Sequence, residues 1–495
     1  MKAERIRVSP FTFSRITECQ IQKEVNTHGF ARIRGYIPTE KEAEYLETAC
    51  GQVEVTIEAI NEEGENRQIY CGVLEDLQIA YKNSVCIMEI TVVPYTCLMD
   101  LNPVRRSFQI PSMTYQEVFN CVAAGYPGGG ALMSAWSDVA IGEPVVQYQE
   151  TDWEFVKRLA SHFNTVVTPS YTTSGAKLYI GLVERPGASR MNPVCYQAKK
   201  VVKEYLYKTQ NQVEGIVEDD SLWYIAEDQE LYEVGEMVNF RNRIYYVAGM
   251  ESRLEGHQLW NTYSLKTLAG FKVPKLYNEK IVGASLDGVV TAVRADVVQI
   301  RLNADGIGGT GKWFSFSTVY SSPDGSGWYC MPEPGDEIRL YFPTEKEKHG
   351  YVISAVHLPV TESNAGSSGG GGSVKSSGGS SGGSSGSSRN PGADRSDPTH
   401  KTIHTVSGKT VDLAETYILL DAGNGMQILL DDNEGIIITS PLGVTIQSEA
   451  DIDIASLGGK VEVSGGESVD IKQDSGQVSV SAESVIISGA NAKVQ

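Results

Sequence analysis

Near its C-terminal end the chain repeats a three-residue motif, and this repeat restricts the possible folds more than any other feature of the sequence. The motifs recur at intervals of 8, 9, 8, 9 and 7 residues and begin at Val444, Ile452, Val461, Val469, Val478 and Val485. In the first five motifs a polar residue stands between two β-branched residues, as in Ile452-Asp453-Ile454. Because side chains alternate across a β-strand, both apolar residues of a motif lie on the same face. The nearly constant short period therefore predicts a β-structured repeat.

A single copy of this repeat has little apolar surface to bury. Residues 401–495 contain one aromatic residue, Tyr417, and each motif offers only two or three aliphatic side chains. We therefore predict that three copies wind together into a β-helix whose inward side chains meet around a common axis. A monomeric β-solenoid is the alternative, which we disfavour because solenoid coils usually need about 20 or more residues per turn. The predicted core residues of this β-helix are Val444, Ile446, Ile452, Ile454, Val461, Val463, Val469, Ile471, Val478 and Val480.

A stretch rich in glycine and serine separates the repeat from the rest of the chain. Of the 23 residues from Gly366 to Ser388, all but Val374 and Lys375 are Gly or Ser. Such a composition cannot bury apolar surface and behaves as a flexible coil. We therefore divide the chain into a β-barrel domain, an α+β domain, an OB-fold, a linker and the β-helix, at residues 1–110, 111–275, 276–360, 361–399 and 400–495.

Alternating apolar and polar residues dominate the first 360 residues and predict a mainly β protein. Two helices are indicated by capping boxes, Thr114 to Glu117 and Thr151 to Glu154, in which Thr and Glu satisfy free backbone N–H groups. Five strand patterns between residues 280 and 357 suit a small Greek-key barrel of the OB type. The expected architecture is thus β-barrel domains with two inserted helices, an OB-fold barrel, a linker and a C-terminal trimeric β-helix.

Charge and cysteine content argue against several classes of function. The chain has 62 acidic and 42 basic residues and a net charge of −20, which disfavours nucleic-acid binding because that requires clustered Lys and Arg. The eight cysteines form no C-x-x-C pair, so a zinc ribbon or a thioredoxin-like site is not indicated. The first ten residues carry no apolar signal core, and together with the scattered cysteines this predicts a cytoplasmic protein.

Sequence motifs for catalysis or metal binding are weak. His400 and His404 have a metal-like spacing, but no cysteine or third histidine lies near them in the sequence. Asp431 to Glu434 resembles a fragment of a calcium loop without its bidentate Glu, so we interpret it as a turn between two apolar strands. No G-x-S-x-G nucleophile motif occurs. We predict a protein that is not an enzyme and has no catalytic, cofactor-binding or metal-binding residues and no cofactor.

Three stretches carry a family resemblance. Residues 147–159, QYQETDWEFVKRL, are similar to a segment QY-x-E-[ST]-D-x-x-F-x-x-R-L of one known family. Residues 334–338 and 350–353 look like the end of that family's OB barrel, and residues 401–411 look like the entry into its needle. The chain thereby resembles the spike proteins of contractile injection systems, the VgrG family, and the hub-plus-needle proteins of contractile-tailed phages.

The resemblance implies a homotrimeric spike at the centre of a baseplate. The first two domains would form a hub that contacts inner-tube and baseplate proteins, and the repeat would form a needle. Sheath contraction would drive the needle through the target envelope, together with a tip protein or effector cargo. The spike would be assembled into the particle in the cytoplasm and delivered outward on contraction. The alternative from a different functional class is a β-helical tailspike with glycan-binding or hydrolase activity.

The end of the needle is the predicted site of a separate partner. Three copies that end together leave unpaired strand edges, which natural proteins usually cover. The small and polar residues after Ile487 can form neither a metal plug nor an aromatic cap, so we expect a capping protein, PAAR-like by resemblance. Some phage relatives carry a lysozyme domain where this chain has its linker, so that activity is not implied. The predicted tip contacts are Ser488, Gly489, Ala490 and Asn491.

Overall fold

The computed structural model shows two compact units, Met1–Ser368 and Gly369–Gln495. Strands dominate the secondary structure of both units, so the prediction of a mainly β protein is confirmed. The residues that the structure describes are 3–49, 51–133, 135–183, 187–256, 258–303, 311–319, 331–355, 401–405, 407–473, 476–481 and 485–489.

The first unit begins with the elements of the two predicted hub domains. In chain order these elements are β1 (Arg5–Ser9), β2 (Arg15–Glu24), β3 (Phe30–Ile37), α1 (Glu42–Thr48), β4 (Glu54–Ile60), β5 (Asn66–Lys82), β6 (Val85–Val93), β7 (Pro103–Phe108), α2 (Tyr115–Ala123), β8 (Gly130–Met133), β9 (Val145–Thr151), α3 (Asp152–Ser161), β10 (Val167–Pro169), β11 (Lys177–Ile180), β12 (Ser189–Arg190), β13 (Cys195–Lys200), α4 (Val202–Gln210), β14 (Leu222–Asp228), β15 (Met237–Phe240), β16 (Arg243–Glu255) and β17 (Gln258–Lys266).

One large sheet joins strands from both sides of residue 110. Its main path runs β1-β4-β5-β6-β3-β2-β16-β17-β14-β13, and β15 attaches to β16 and to β12. Alternation along the strands buries one face, as in β3, where Ala31 and Ile33 are fully buried and Arg32 between them is exposed. The path ends at β1 and β13, and every residue of β13 is exposed. The large sheet therefore has two open ends among the described residues.

The two predicted helices pack beside smaller sheets in a second core. Strand β7 pairs with β9, and β10, β11 and β8 form a three-stranded sheet. Thr114 caps α2 and Thr151 caps α3, and in both helices the Glu three residues later completes a capping box, as predicted. The apolar stripe of α3 buries Trp153 and Phe155 completely, which fixes this helix in the core.

The end of the first unit is an OB-type barrel, as predicted. Its strands run in the order β20-β19-β18-β21-β22, and a parallel bridge between Phe316 and Val352 links the ends of this path. This closure gives the strand order of a five-stranded Greek-key barrel. Ile300 and Phe342 are fully buried in its core. The strands are β18 (Ser285–Arg294), β19 (Val297–Leu302), β20 (Phe314–Ser315), β21 (Glu337–Tyr341) and β22 (Tyr351–Ala355).

The second unit contains two separate antiparallel sheets. One follows chain order from β23 to β27, and the other runs β28-β29-β30. The predicted turn at Asp431 to Glu434 is confirmed, because the Asp431 carboxylate accepts hydrogen bonds from the backbone N–H groups of Asn433 and Glu434. The strands are β23 (Lys401–His404), β24 (Thr410–Leu413), β25 (Tyr417–Asp421), β26 (Gln427–Asp431), β27 (Gly435–Thr439), β28 (Ser468–Gln473), β29 (Gly476–Ser481) and β30 (Val485–Gly489).

Helix α4 differs from the sequence-based expectation, which predicts mainly strands in the first 360 residues and marks helices only at the two capping boxes. Its N-cap, Val201, offers no side-chain hydrogen bond, so the local start signal that identifies α2 and α3 is missing. Val202, Leu206 and Tyr207 of this helix are exposed, so no apolar stripe against a core marks it either. Contacts distant in sequence hold the helix, since the Glu204 carboxylate accepts hydrogen bonds from Trp223 and Lys266.

Candidate assembly surface

One face of the β23–β27 sheet is aliphatic along two neighbouring cross-strand rows. The register places Ile428 opposite both Leu420 and Ile438 in one row. All side chains of this face except Val411 are at least 38% exposed, and Ile436 reaches 73%. An apolar patch of this extent marks an interaction surface. We call the following residues the aliphatic face: Ile403, Val411, Leu413, Ile418, Leu420, Ile428, Leu430, Ile436 and Ile438.

The opposite face of the same sheet is partly buried within its own unit. Leu419 and Asp412 form a cross-strand pair and are 6% and 1% exposed. The Tyr417 hydroxyl donates a hydrogen bond to Oδ2 of Asp412 at 2.9 Å, while Oδ1 of Asp412 is buried without a hydrogen-bond partner among the described residues. Within the single chain, the centre of this face is thus buried, whereas the aliphatic face is exposed.

Residues 440–467, all of which the structure describes, form no helix or strand. The first three repeat motifs lie here, and their predicted core side chains are 49% to 73% exposed. A three-residue strand offers few hydrogen bonds and needs neighbouring strands on both sides, which this segment does not have within one chain. The segment therefore leaves its aliphatic side chains available to other chains. The residues concerned are Val444, Ile446, Ile452, Ile454, Val461 and Val463.

The last three repeat motifs are strands, as predicted, and pair with one another. Val469 lies opposite Val480, and Ile471 lies opposite Val478, so the backbone register pairs four predicted core residues. The Ile471 side chain is 64% exposed. The pairing brings the predicted core residues together in β28–β30 even within one chain. Their role in a trimeric core stays a prediction.

The predicted tip contacts lie at the end of the last strand. Ser488 and Gly489 belong to β30 and pair with Gln477 and Gly476 of β29. Ala490 and Asn491 lie outside the described residues. In the described sheet β30 has β29 on one side only, so its other edge has open backbone hydrogen-bonding groups.

The family-like segment at residues 147–159 forms a buried polar cluster rather than an exposed site. Its Asp152 accepts hydrogen bonds from Gln147 at 2.8 Å, from Arg106 at 2.8 Å and from the Tyr126 hydroxyl at 2.7 Å. Burial and the neighbouring Asp152 carboxylate raise the pKa of Tyr126, so this phenol stays a hydrogen-bond donor. Asp152 is 2% exposed and has partners on three sides. The segment therefore fixes α3 against β7 and β9.

Arg158, in the same segment, joins α3 to the OB domain. Its guanidinium donates to Glu150 at 2.8 and 2.9 Å, to the Val146 carbonyl at 2.8 Å and to Glu347 at 2.8 Å. Burial lowers the pKa of Arg158, but Glu347 and Glu150 raise it more, so the guanidinium stays charged. Glu347 follows β21 in the OB domain, far away in sequence. The sequence marks Arg158 through the motif but gives no signal for its partner Glu347.

The structure describes only one of the two candidate metal-binding histidines, His404. His404 lies in β23, where its backbone pairs with Thr410, and His400 lies outside the described residues. Among the described residues, no three His, Cys, Asp or Glu side chains are grouped so that they could hold a metal ion. The described helices are all too short or too polar to span a membrane.

Comparisons with known proteins concern the fold. No family model and no curated protein matches the chain. Among solved structures, the E. coli c3393 protein is matched over 71% of this chain and 100% of that chain, with 11% identity and a TM-score of 0.50. The lidless PdpA–VgrG complex covers 86% of this chain and 93% of that chain, with 8% identity and a TM-score of 0.48. The 43 kDa tail protein of the prophage MuSo2 from Shewanella oneidensis covers 56% of this chain and 99% of that chain, with 11% identity and a TM-score of 0.43.

The match to the c3393 protein relates this fold to known assemblies. The c3393 protein is a component of the type VI secretion system and is itself structurally similar to the bacteriophage T4 tail proteins gp27 and gp5. At 11% identity such a match shows a shared fold. The resemblance found in the sequence is thus confirmed at the level of the fold: this chain has the architecture of a type VI secretion component that is similar to the phage tail proteins gp27 and gp5.

Proposed function

We propose that the chain is the central baseplate spike of a contractile injection system and acts as a homotrimer. The observation that carries this proposal is the uncovered apolar surface of the second unit, formed by the aliphatic face and the exposed residues of 440–467. Burial of apolar surface is the main driving force of association, and a lone chain leaves this surface in water. Three copies around one axis would bury it as the predicted β-helix.

The large sheet of the first unit offers a second surface through which the copies could join. It ends at β1 and at the fully exposed β13. Joining β13 of one copy to β1 of the next is a head-to-tail interface, which forms a closed ring when the rotation between copies is right. Ring closure would remove both exposed strand edges, which are otherwise a risk for aggregation. We propose that the ring is the hub, that it closes only where the needle holds three copies together, and that it contacts inner-tube and baseplate proteins.

The proposed role is mechanical rather than enzymatic. The needle would pierce the target envelope on sheath contraction and carry a tip protein or effectors with it. A β-helical tailspike that binds or cleaves glycans is less well supported, because glycan sites are often lined by exposed aromatic rings. The one aromatic residue of 401–495, Tyr417, is half-buried and hydrogen-bonded to Asp412.

Labelling the chain in intact particles tests this role. A tag at the N-terminus, imaged by electron microscopy, is expected at the centre of the baseplate on the particle axis. A tag on a control structural protein of the sheath should decorate the whole length of the particle. Localisation of the chain to peripheral fibres would contradict the spike role and favour a tailspike.

The partner at the tip is a further part of the proposal and gives a testable prediction. Removing Ser488 to Gln495 takes away the end of β30 and the predicted contacts of the capping protein. We expect the truncated chain to assemble normally but to lose the capping protein in a pull-down from the producing cells. The control is a deletion of eight Gly/Ser residues from the linker, and this variant should retain the partner. Recovery of the same capping protein by the truncated chain would contradict this prediction.

A further inference from the structure

A polar cavity of about 280 Å³ lies between the α+β domain and the OB domain of the first unit. Tyr115 and His162 line it from the ends of α2 and α3, and Lys346 and Lys348 line it from the OB domain. Lys275, with Tyr277, lines it from the segment that connects the two domains. The cavity is therefore built by three separate parts of the chain. Its volume lies just below the usual range of pockets for drug-sized molecules, so it suits a small ligand.

The charge of this cavity is opposite to that of the protein as a whole. Three lysines line it, Lys275, Lys346 and Lys348, in a chain of net charge −20. Among the described residues, no carboxylate forms an ion pair with any of the three. The two carboxylates in the lining are engaged elsewhere, because Glu347 pairs with Arg158 at 2.8 Å and Glu143 with Lys312 at 2.6 Å. No described carboxylate therefore lies within ion-pair distance of the three ammonium groups, although Glu347 attracts Lys275 at longer range.

Neighbouring groups hold these lysines close together in spite of their repulsion. The Tyr277 ring has Lys275 Nζ 5.4 Å and Lys346 Nζ 5.8 Å from its centroid, and both are favourable cation–π distances. Burial lowers the pKa of Lys275; Glu347 opposes this, while Lys348, Lys346 and Arg158 lower it further. An anion in the cavity would relieve this repulsion.

His162 adds a neutral polar group to the same wall. Burial, with Lys275 and Arg158 nearby, lowers the pKa of His162 to about 3, so its imidazole is neutral at pH 7. Its Nδ1 lies 2.9 Å from the Tyr115 hydroxyl. The cavity lining thus combines three lysines, a neutral imidazole, a phenol and two carboxylates that are paired with other cations. Lysines are point-charge partners of phosphate, and neutral ring and hydroxyl groups can complete its hydrogen bonds.

We propose that this cavity binds a small oxyanion of the phosphate class, either free phosphate or the terminal phosphate of a small organic molecule. Because its walls come from both domains and from the segment between them, a bound anion would bridge the lysines and hold the domains together. A ligand that binds only the folded state raises the unfolding temperature. The anion would therefore stabilise the joint between the hub domain and the OB domain.

Calorimetric titration of the full chain with inorganic phosphate tests the proposal, with chloride used to keep the ionic strength constant. We expect saturable binding and a rise in unfolding temperature. The double variant Lys275→Ala/Lys346→Ala is expected to bind at least about tenfold more weakly, since a hydrogen bond to a charged group contributes more than the free energy of a tenfold change. The single variant Lys348→Ala, at an exposed position, provides a milder test with the same direction.

The matched control is Lys82→Ala/Lys203→Ala, which removes the same charge from two exposed lysines outside the cavity. It should bind phosphate as the unchanged chain does. Equal affinity of the two double variants, or no saturable binding by the unchanged chain, would overturn the proposal. A parallel titration with glycerol phosphate identifies the source: tighter binding than phosphate supports an organic phosphate, and equal or weaker binding supports the free anion.

Discussion

Replacing Ile438 by Asp is expected to abolish trimer formation and leave each chain folded. Ile438 belongs to the aliphatic face and is 57% exposed in the single chain, so a carboxylate there costs the isolated chain little. In the trimer the same change would bring three carboxylates into a dry interface. The effective cost of burying an unpaired charge is several kcal/mol per ion, which exceeds what one apolar contact contributes. Sedimentation velocity should show a monomer with an unchanged circular dichroism spectrum.

Thr439 provides the matched control for this variant. It is the next residue of β27, it is also exposed, and its side chain points to the other face of the sheet. Thr439→Asp adds the same charge and should remain trimeric. Ile452→Asp and Val469→Asp extend the test to the repeat and should also prevent the needle from forming. Trimers in the Ile438 variant with normal protease resistance would show that the aliphatic face is not an interface.

Replacing Arg158 by Met is expected to destabilise the first unit by about 3–5 kcal/mol, the usual cost of leaving a buried partner charge unpaired. The change would leave the carboxylates of Glu150 and Glu347 without their common cation. Methionine keeps an apolar stem beside the Phe155 ring, which Arg158 now covers at 5.3 Å, so packing loss should be small. Urea denaturation followed by tryptophan fluorescence measures the change.

Arg294→Met is the matched control, because Arg294 is an exposed arginine of β18. Exposed substitutions of this kind usually change stability by no more than about 0.5 kcal/mol. A second variant, Glu347→Gln, removes only one of the two carboxylates and should cost less than Arg158→Met. Equal unfolding midpoints for the Arg158 and Arg294 variants would show that the ion-pair cluster does not hold the OB domain to α3.

Local signals in the sequence were sufficient where a few neighbouring residues decide the structure. The capping boxes at Thr114 and Thr151 identify α2 and α3, because caps act over three residues. The alternation in Val297 to Leu302 identifies β19 of the OB barrel for the same reason. Helix α4 lacks such a signal, since its N-cap is Val201 and long-range contacts of Glu204 hold it.

The candidate surfaces depend on strand pairing and domain packing that local sequence patterns do not specify. The repeat predicts the inward residues, but motifs such as Val444 to Ile446 form no strand in one chain, and we propose that their hydrogen-bond partners belong to other copies. The aliphatic face is built by pairing across five neighbouring strands, which brings residues as far apart in sequence as Ile403 and Ile438 into one row. The Glu347 partner of Arg158 likewise depends on how two domains pack. Non-local pairing, rather than local pattern, defines these features.

The mass of the full chain in solution tests the central claim most directly. Sedimentation equilibrium over a range of concentrations should give three times the 53.9 kDa of one chain, because the aliphatic face and the repeat are proposed to be buried only between copies. The Thr439→Asp control should give the same mass and the Ile438→Asp variant the mass of one chain. A stable monomer of 53.9 kDa for the unchanged chain, at all concentrations, would contradict the account.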